Sequence, residues 1–404
     1  MEAGTVRSTY FRKGFGLKAE VGPELASDYT GRLVDLLRER EYSLSAGDLT
    51  VRLAKEFGFC YGVERAVDYA YQARKKFPDR NIYLAGEIIH NPHVNERLRK
   101  MGIAILARPE PTGAFDFSGI TSDDVVIMPA FGVTIDDFAA LREIGCVLVD
   151  TTCGSVLNVW KRVDAYARDG FTAIIHGKYQ HEETQATASQ VRPHGGHYLI
   201  VRNMGEARLV CDYIEGCVPA ASLMQTFARA VSPGFDPETH LQRIGVANQT
   251  TMLARESLAI GEEIGASIAR ARGEGARATS FRSFDTICSA TQERQDAVRE
   301  LLADGVDVMV VIGGFNSSNT ISLAALCVDH VSTYHIETSA AIDPDMRTIH
   351  YRPATAKHSE ADRADWLPGG AVRVGVTAGA STPNNKIGDV VARILATRGL
   401  RAPV

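Results

Sequence analysis

Apolar residues in this chain gather into short continuous runs, each followed by a turn and then by apolar positions at helical spacing. The runs Val51–Leu53, Asn81–Ala85, Asp124–Pro129, Val147–Asp150, Phe171–Ile175, Ile244–Ala247, Phe284–Ile287, Val306–Ile312 and Val372–Thr377 predict strands. Their successors, 63–76, 94–101, 156–169, 252–272 and 291–303, carry the 3.6-residue pattern of amphipathic helices. The run Val306–Ile312, built of Val, Ile and Met around one Asp, reads as a strand buried on both faces. Strands alternating with helices predict an α/β fold with parallel sheets, in which ligands sit at the carboxyl ends of strands.

Three of those carboxyl ends read alike. Phe57-Gly58-Phe59-Cys60-Tyr61-Gly62, Asp150-Thr151-Thr152-Cys153-Gly154-Ser155 and Thr286-Ile287-Cys288-Ser289-Ala290 each place one cysteine at the turn from strand to helix. A lone cysteine is usually a buried, inert thiol. Three soft thiolates at equivalent turns suit an iron–sulfur cluster, with one iron left open to substrate.

The other polar turns are candidates of lower specificity. His90 follows one strand, where a solvated histidine is the ordinary case. The turn His176–Thr184 supplies imidazoles, a lysine and the adjacent carboxylates Glu182 and Glu183, which would also suit a helix start. Thr250 and Thr251 precede a helix that either could cap. Gly313-Gly314-Phe315-Asn316-Ser317-Ser318-Asn319-Thr320 is a donor-rich turn into a helix, a plausible anion cradle, and Ala378–Pro383 is a second. Neither contains the lysine of a P-loop, so nucleotide hydrolysis is not indicated.

Composition narrows the class. With 404 residues, 45% hydrophobic and 23% charged, the chain is long enough for two or three domains. A net charge of −5 argues against a general nucleic-acid or anionic-membrane binder. No apolar run approaches the roughly 20 residues of a bilayer span, and a secretory signal core is lacking, so a cytoplasmic location is expected. Seven scattered cysteines without a Cys-x-x-Cys point to a reducing compartment. The amino end, basic at Arg7, Arg12, Lys13 and Lys18, is interrupted by Glu2, Glu20, Glu24 and Asp28, unlike a transit peptide. Residues 1–50 are expected to be an extension that packs on the body or forms a homodimer. The proline-rich stretch 211–243 is expected to be an irregular insertion.

The stretches GFCYGVERAV, GEIIHNPHVN, VDTTCGSV, HEETQATAS, NQTTML, TICSATQERQDAV, GGFNSSNT and TAGASTP, spread from Gly58 to Pro383, resemble the LytB family of 4-hydroxy-3-methylbut-2-enyl diphosphate reductases. The longer HGKYQHEET form and the extended amino end are similar to its plant and cyanobacterial branch. The resemblance implies an α/β fold of three similar units around a central cluster, here 51–152, 153–283 and 284–383, followed by a helix over 384–404. It implies one 4Fe-4S cluster held by Cys60, Cys153 and Cys288, with one iron lacking a protein ligand. It implies Glu183 as proton donor, and His90, His181, Thr250, Ser317, Ser318, Asn319 and Ser381 as contacts to substrate and its diphosphate. The sequence departs from the shorter bacterial form at Phe131, where many members have a second phosphate-facing histidine.

The implied reaction is reductive removal of the substrate's allylic hydroxyl to give isopentenyl and dimethylallyl diphosphates, the last step of the methylerythritol phosphate route to isoprenoids. No dinucleotide fingerprint is present, so electrons are expected from ferredoxin or flavodoxin. The rival readings are a non-redox dehydratase using the cluster only as Lewis acid, and an iron–sulfur sensor or structural zinc protein.

Overall fold

The structure is a computed structural model that describes residues 9–108, 113–354 and 359–403; Arg7 of the basic amino end lies outside them. The chain divides into two compact units. One comprises Met1–Lys13, Phe77–Ile88 and Gly102–Cys288; the other comprises Gly14–Lys76, Ile89–Met101 and Ser289–Val404.

The first unit holds two parallel sheets. In one, the strands lie in the order Tyr10–Phe11, Val147–Asp150, Val125–Met128, Ile82–Ala85, Ile103–Leu106. In the other, the order is Phe281–Ser283, Ile244–Asn248, Thr172–His176, Tyr198–Val201. Every residue of Val125–Met128, Val147–Asp150, Thr172–His176 and Ile244–Asn248 is buried, which is why these strands read as unbroken apolar runs.

The second unit is built on a sheet ordered Ser332–Ile336, Val308–Ile312, Val372–Ala378, Leu49–Leu53, Ser43–Ala46. It is parallel except for the edge strand Ser43–Ala46. The strand Leu49–Leu53, expected to open the first α/β unit, pairs instead with Val372–Ala378, Leu49 opposite Val372 and Leu53 opposite Val376. Helical stripes on Arg32–Glu39 and Asn384–Ala396 bury Leu33, Val34, Leu37, Ile387, Val391 and Ile394 against that sheet.

Three local expectations need correction. The stretch 211–243 is not irregular: it carries the end of the helix Met204–Ile214 and the helices Ala220–Phe227 and Pro237–His240, with Leu223, Phe227 and Leu241 buried in the core. Pro219 and Pro237 mark helix starts rather than disorder, since a first-turn proline lacks only an N–H that the helix does not use. The strand expected at Phe284–Ile287 lies at Phe281–Ser283, leaving Phe284 exposed. The stretch 353–370, whose polar composition reads as a plain connector, instead holds the strand Ala361–Ala364, paired with Thr348–Tyr351 in a small antiparallel sheet, and the buried Trp366 and Leu367. The amino-terminal residues are woven in as well, for Tyr10–Phe11 adds an edge strand beside Val147–Asp150 and the Tyr10 hydroxyl donates to Asp150 Oδ2 at 2.6 Å.

Candidate functional site

All seven cysteines are free, and burial sorts them. Cys146, Cys211 and Cys327 are buried in apolar surroundings that push their thiols up to about 11, 11 and 12. Cys217 is exposed. Cys60, Cys153 and Cys288 are half-buried, and each stands at the start of a helix: Tyr61–Lys76, Gly154–Arg168 and Ser289–Ala303. A helix amino terminus carries partial positive charge and favours a thiolate, the form that ligates iron. As a donor set the three fit a cluster; the three deeply buried thiols, whose burial opposes ionisation, do not.

In the first unit a chain of contacts ties two of these cysteines to the acid. The Cys288 N–H donates to Thr250 O at 3.3 Å, so the Cys288 turn is seated on the turn after Ile244–Asn248. Thr250 in turn grips Glu183, its N–H donating to Oε1 at 2.5 Å and its hydroxyl to Oε2 at 3.0 Å. Glu183 is 1% exposed, whereas the side chain of Glu182 is 35% exposed, so the neighbouring carboxylates have different environments. The Glu183 N–H donates to His181 Nδ1 at 3.1 Å, capping the helix Glu182–Ser189. An Nδ1 that accepts leaves the neutral ring's proton on Nε2. The ring of Phe131 meets His181 edge to face at 5.3 Å between centroids. The Cys153 N–H closes the series by donating to Ala130 O at 3.0 Å.

The second unit gathers the other donors. The Cys60 N–H donates to Ala380 O at 3.2 Å, and Ala380 N–H donates to Asn319 Oδ1 at 2.9 Å. The Ser381 hydroxyl donates to His90 O at 3.2 Å. Ser317 caps the helix Ser318–Val328 by accepting from Thr320 N–H, and Ser318, buried at its first position, has a hydroxyl with no hydrogen-bond partner among the described residues. An unsatisfied hydroxyl at a helix start, where backbone N–H groups are also uncommitted, is the environment of a bound anion. Asn319 is thus largely occupied in tying turns together, and Ser317 in capping, while Ser318 is the donor most at liberty.

The glycines make this cradle tight. Gly313 has φ +148°, and a Cβ on Gly314 would stand 2.5 Å from His90 O, a backbone atom that cannot swing aside. His335, buried and lowered to about 4 by desolvation, stays neutral and pins the same turn through Nε2 to Gly313 O at 2.9 Å. Gly314→Ala is therefore expected to weaken binding of inorganic diphosphate by roughly tenfold, the cost of displacing one well-placed donor set by an ångström. Calorimetric titration of the variant measures it, and an unchanged affinity would mean that the 313–319 turn does not hold the anion.

All the candidates from sequence lie on such turns or in the first turn of the helix that follows. The first unit assembles Cys153, His181, Glu183, Thr250 and Cys288; the second assembles Cys60, His90, Ser317, Ser318, Asn319 and Ser381. Sequence reasoning left out Phe131 as a lost histidine, and took Gly314 as part of a general turn. Only the His181 contact and the approach of His90 O give these two positions their meaning.

Comparison with known proteins gives a consistent picture. The family model described as LytB protein matches residues 51–395. A 4-hydroxy-3-methylbut-2-enyl diphosphate reductase from Thermosynechococcus vestitus is 46% identical over 392 residues, covering 97% of this chain and 95% of that protein. One from Acaryochloris marina is 45% identical over 404 residues, covering 98% and 95%. Among solved structures, (E)-4-hydroxy-3-methyl-but-2-enyl diphosphate reductase, the terminal enzyme of the non-mevalonate pathway, is 28% identical with a TM-score of 0.52, covering 85% of this chain and 98% of that one. The Plasmodium falciparum reductase, at 20% identity and a TM-score of 0.62, shares the fold over 84% of this chain and 86% of its own.

Proposed function

The chain belongs to the LytB family, and from that membership we propose how its own residues carry out the family's reaction. It is an iron–sulfur oxidoreductase, a 4-hydroxy-3-methylbut-2-enyl diphosphate reductase acting at the last step of the methylerythritol phosphate pathway. The substrate's allylic C–O bond breaks, two electrons and two protons are taken up, and the products are isopentenyl or dimethylallyl diphosphate and water.

We assign a 4Fe-4S cluster to Cys60, Cys153 and Cys288, with one iron free of protein ligands. When bound it supplies Lewis acidity toward the hydroxyl and one-electron reduction. The uncommitted Ser318 hydroxyl, the helix start behind it, Ser317, Asn319, Ser381, His90 and the Nε2–H of His181 would hold the diphosphate. Affinity for that unreacting end would fix the hydroxymethyl end in place, converting binding energy into orientation.

The observation that carries the mechanism is the Glu183–Thr250 pair. Protonated Glu183 gives its proton at Oε2 to the Thr250 hydroxyl as that hydroxyl passes its own to the substrate oxygen, so water rather than hydroxide departs. With burial on every side, the carboxyl exchanges protons through Thr250 in preference to bulk water.

Electrons are assigned to a ferredoxin- or flavodoxin-type donor. Seven free thiols fit a reducing cytoplasm, and among the described residues no helix is long and apolar enough to cross a membrane. The test is an anaerobic assay of reconstituted protein with a reduced one-electron dye and the hydroxymethylbutenyl diphosphate. Two equivalents of dye should be oxidised per product formed. Product without dye oxidation would favour a dehydratase, and neither would favour a sensor.

A further inference from the structure

Phe284 is an apolar residue the core does not use. It stands 42% exposed just past the strand Phe281–Ser283, four residues before Cys288. It is nevertheless held firmly, stacked on the buried Tyr166 ring at 6.3 Å, with the Arg162 guanidinium over its outer face at 4.1 Å. Tyr166 is anchored by its hydroxyl, which donates to Val246 O at 2.9 Å. Arg162 and its exposed neighbour Lys161 lie on the helix that begins after Cys153, about 13 Å along its axis. Gly154, Asn158, Lys161 and Arg162 form one exposed face of that helix, leading from Cys153 to Phe284.

The charges there are unbalanced. Among the described residues neither Lys161 nor Arg162 has a carboxylate within ion-pair distance, because the nearby acids are engaged elsewhere. Asp164 is bonded to His194 at 2.9 Å and Asp169 to Arg282 at 2.5 Å, while Asp285 keeps its charge but is turned to Ile287 N–H within its own turn. On a chain of net charge −5, two cations without an ion-pair partner stand around a fixed, exposed aromatic ring. Aromatic and arginine side chains in such a setting are what dominates binding at protein interfaces, and a cationic rim steers an acidic partner.

We propose that Phe284, Arg162 and Lys161 form the docking surface for a small acidic one-electron carrier protein. The inference rests on the reductase reading, which requires two single electrons per turnover and supplies no bound donor. Each docked carrier gives up one electron and leaves oxidised, and two encounters complete the reduction. One feature favours this occupant over a second copy of the chain, which is acidic as well: the patch lies on the two segments that carry Cys153 and Cys288.

The experiment is a calorimetric and NMR titration of the reconstituted protein with oxidised plant-type ferredoxin, at low and high salt, for the wild type, the double variant Lys161→Glu/Arg162→Glu, and Phe284→Ala. Charge reversal is expected to weaken binding by at least roughly tenfold and to flatten its salt dependence. Phe284→Ala should weaken it by a similar factor with the salt dependence retained. Each variant is also assayed with the small reduced dye, which needs no docking surface and should turn over at the wild-type rate. Unchanged ferredoxin affinity in the charge-reversed protein, or no binding to the wild type, overturns the docking surface. Loss of dye-driven turnover in the wild type itself would instead sink the reductase reading.

Discussion

Replacing Glu183 with Gln is expected to leave a folded, cluster-bearing protein that binds substrate and turns over roughly 10²–10⁴-fold more slowly, the usual cost of losing a positioned acid. That corresponds to about 3–5 kcal/mol of barrier. The amide keeps the shape, and its oxygen still accepts the Thr250 N–H now bonded to Oε1. Its NH₂ would face the Thr250 hydroxyl where Oε2 now accepts, so that hydroxyl would receive a hydrogen bond instead of donating one. That is the direction in which a protonated Glu183 would donate, so the amide keeps the geometry of the relay and lacks only a proton it can give up. Glu182→Gln is the control: its side chain is partly solvated, and its loss should leave the rate within about twofold. Equal rates for the two variants in the dye assay would move the proton source elsewhere.

Serine in place of Cys60, Cys153 or Cys288 is expected to abolish turnover together with the cluster's iron and sulfide, since a hydroxyl is a hard donor that does not ionise near neutral pH. Alanine at Cys146, Cys211 or Cys327, or serine at the exposed Cys217, should leave cluster content intact. For the buried three the expected change is one of stability alone, about 1 kcal/mol for a small truncated side chain. Iron and sulfide analysis of anaerobically reconstituted variants decides the assignment. A full cluster in Cys288→Ser would refute it.

Much of this was readable in the chain because buried parallel strands leave unbroken apolar runs. Val308–Ile312 and Val147–Asp150 are legible for that reason alone. Pairing was not legible. Nothing local to Leu49–Leu53 says that its neighbour is Val372–Ala378, because sheet partners are chosen by tertiary packing. Ser332–Ile336, with a polar start, and the small antiparallel sheet were passed over because their short, half-exposed strands lack the run. At the site, residue identity was visible through the family motifs, whereas the bonds were not. That Ser317 caps while Ser318 is at liberty, or that Phe131 touches His181, depends on backbone placement.

The pairing of Leu49–Leu53 with Val372–Ala378 also sets an order of events on the ribosome. At a synthesis rate of roughly 5–20 residues per second, the early strand waits on the order of tens of seconds for its partner to emerge. Until then the sheet that carries it has no centre, and the bond from Cys60 N–H to Ala380 O cannot form. Cys153 differs, because Ala130, which receives its N–H, has already been made. A nascent chain can thus present one finished cysteine turn while Cys60 remains a loose thiol. If Cys60 is a cluster ligand as proposed, cluster delivery is a post-translational step, and a message truncated before Val372 yields a chain in which the Cys60 turn has no fixed place.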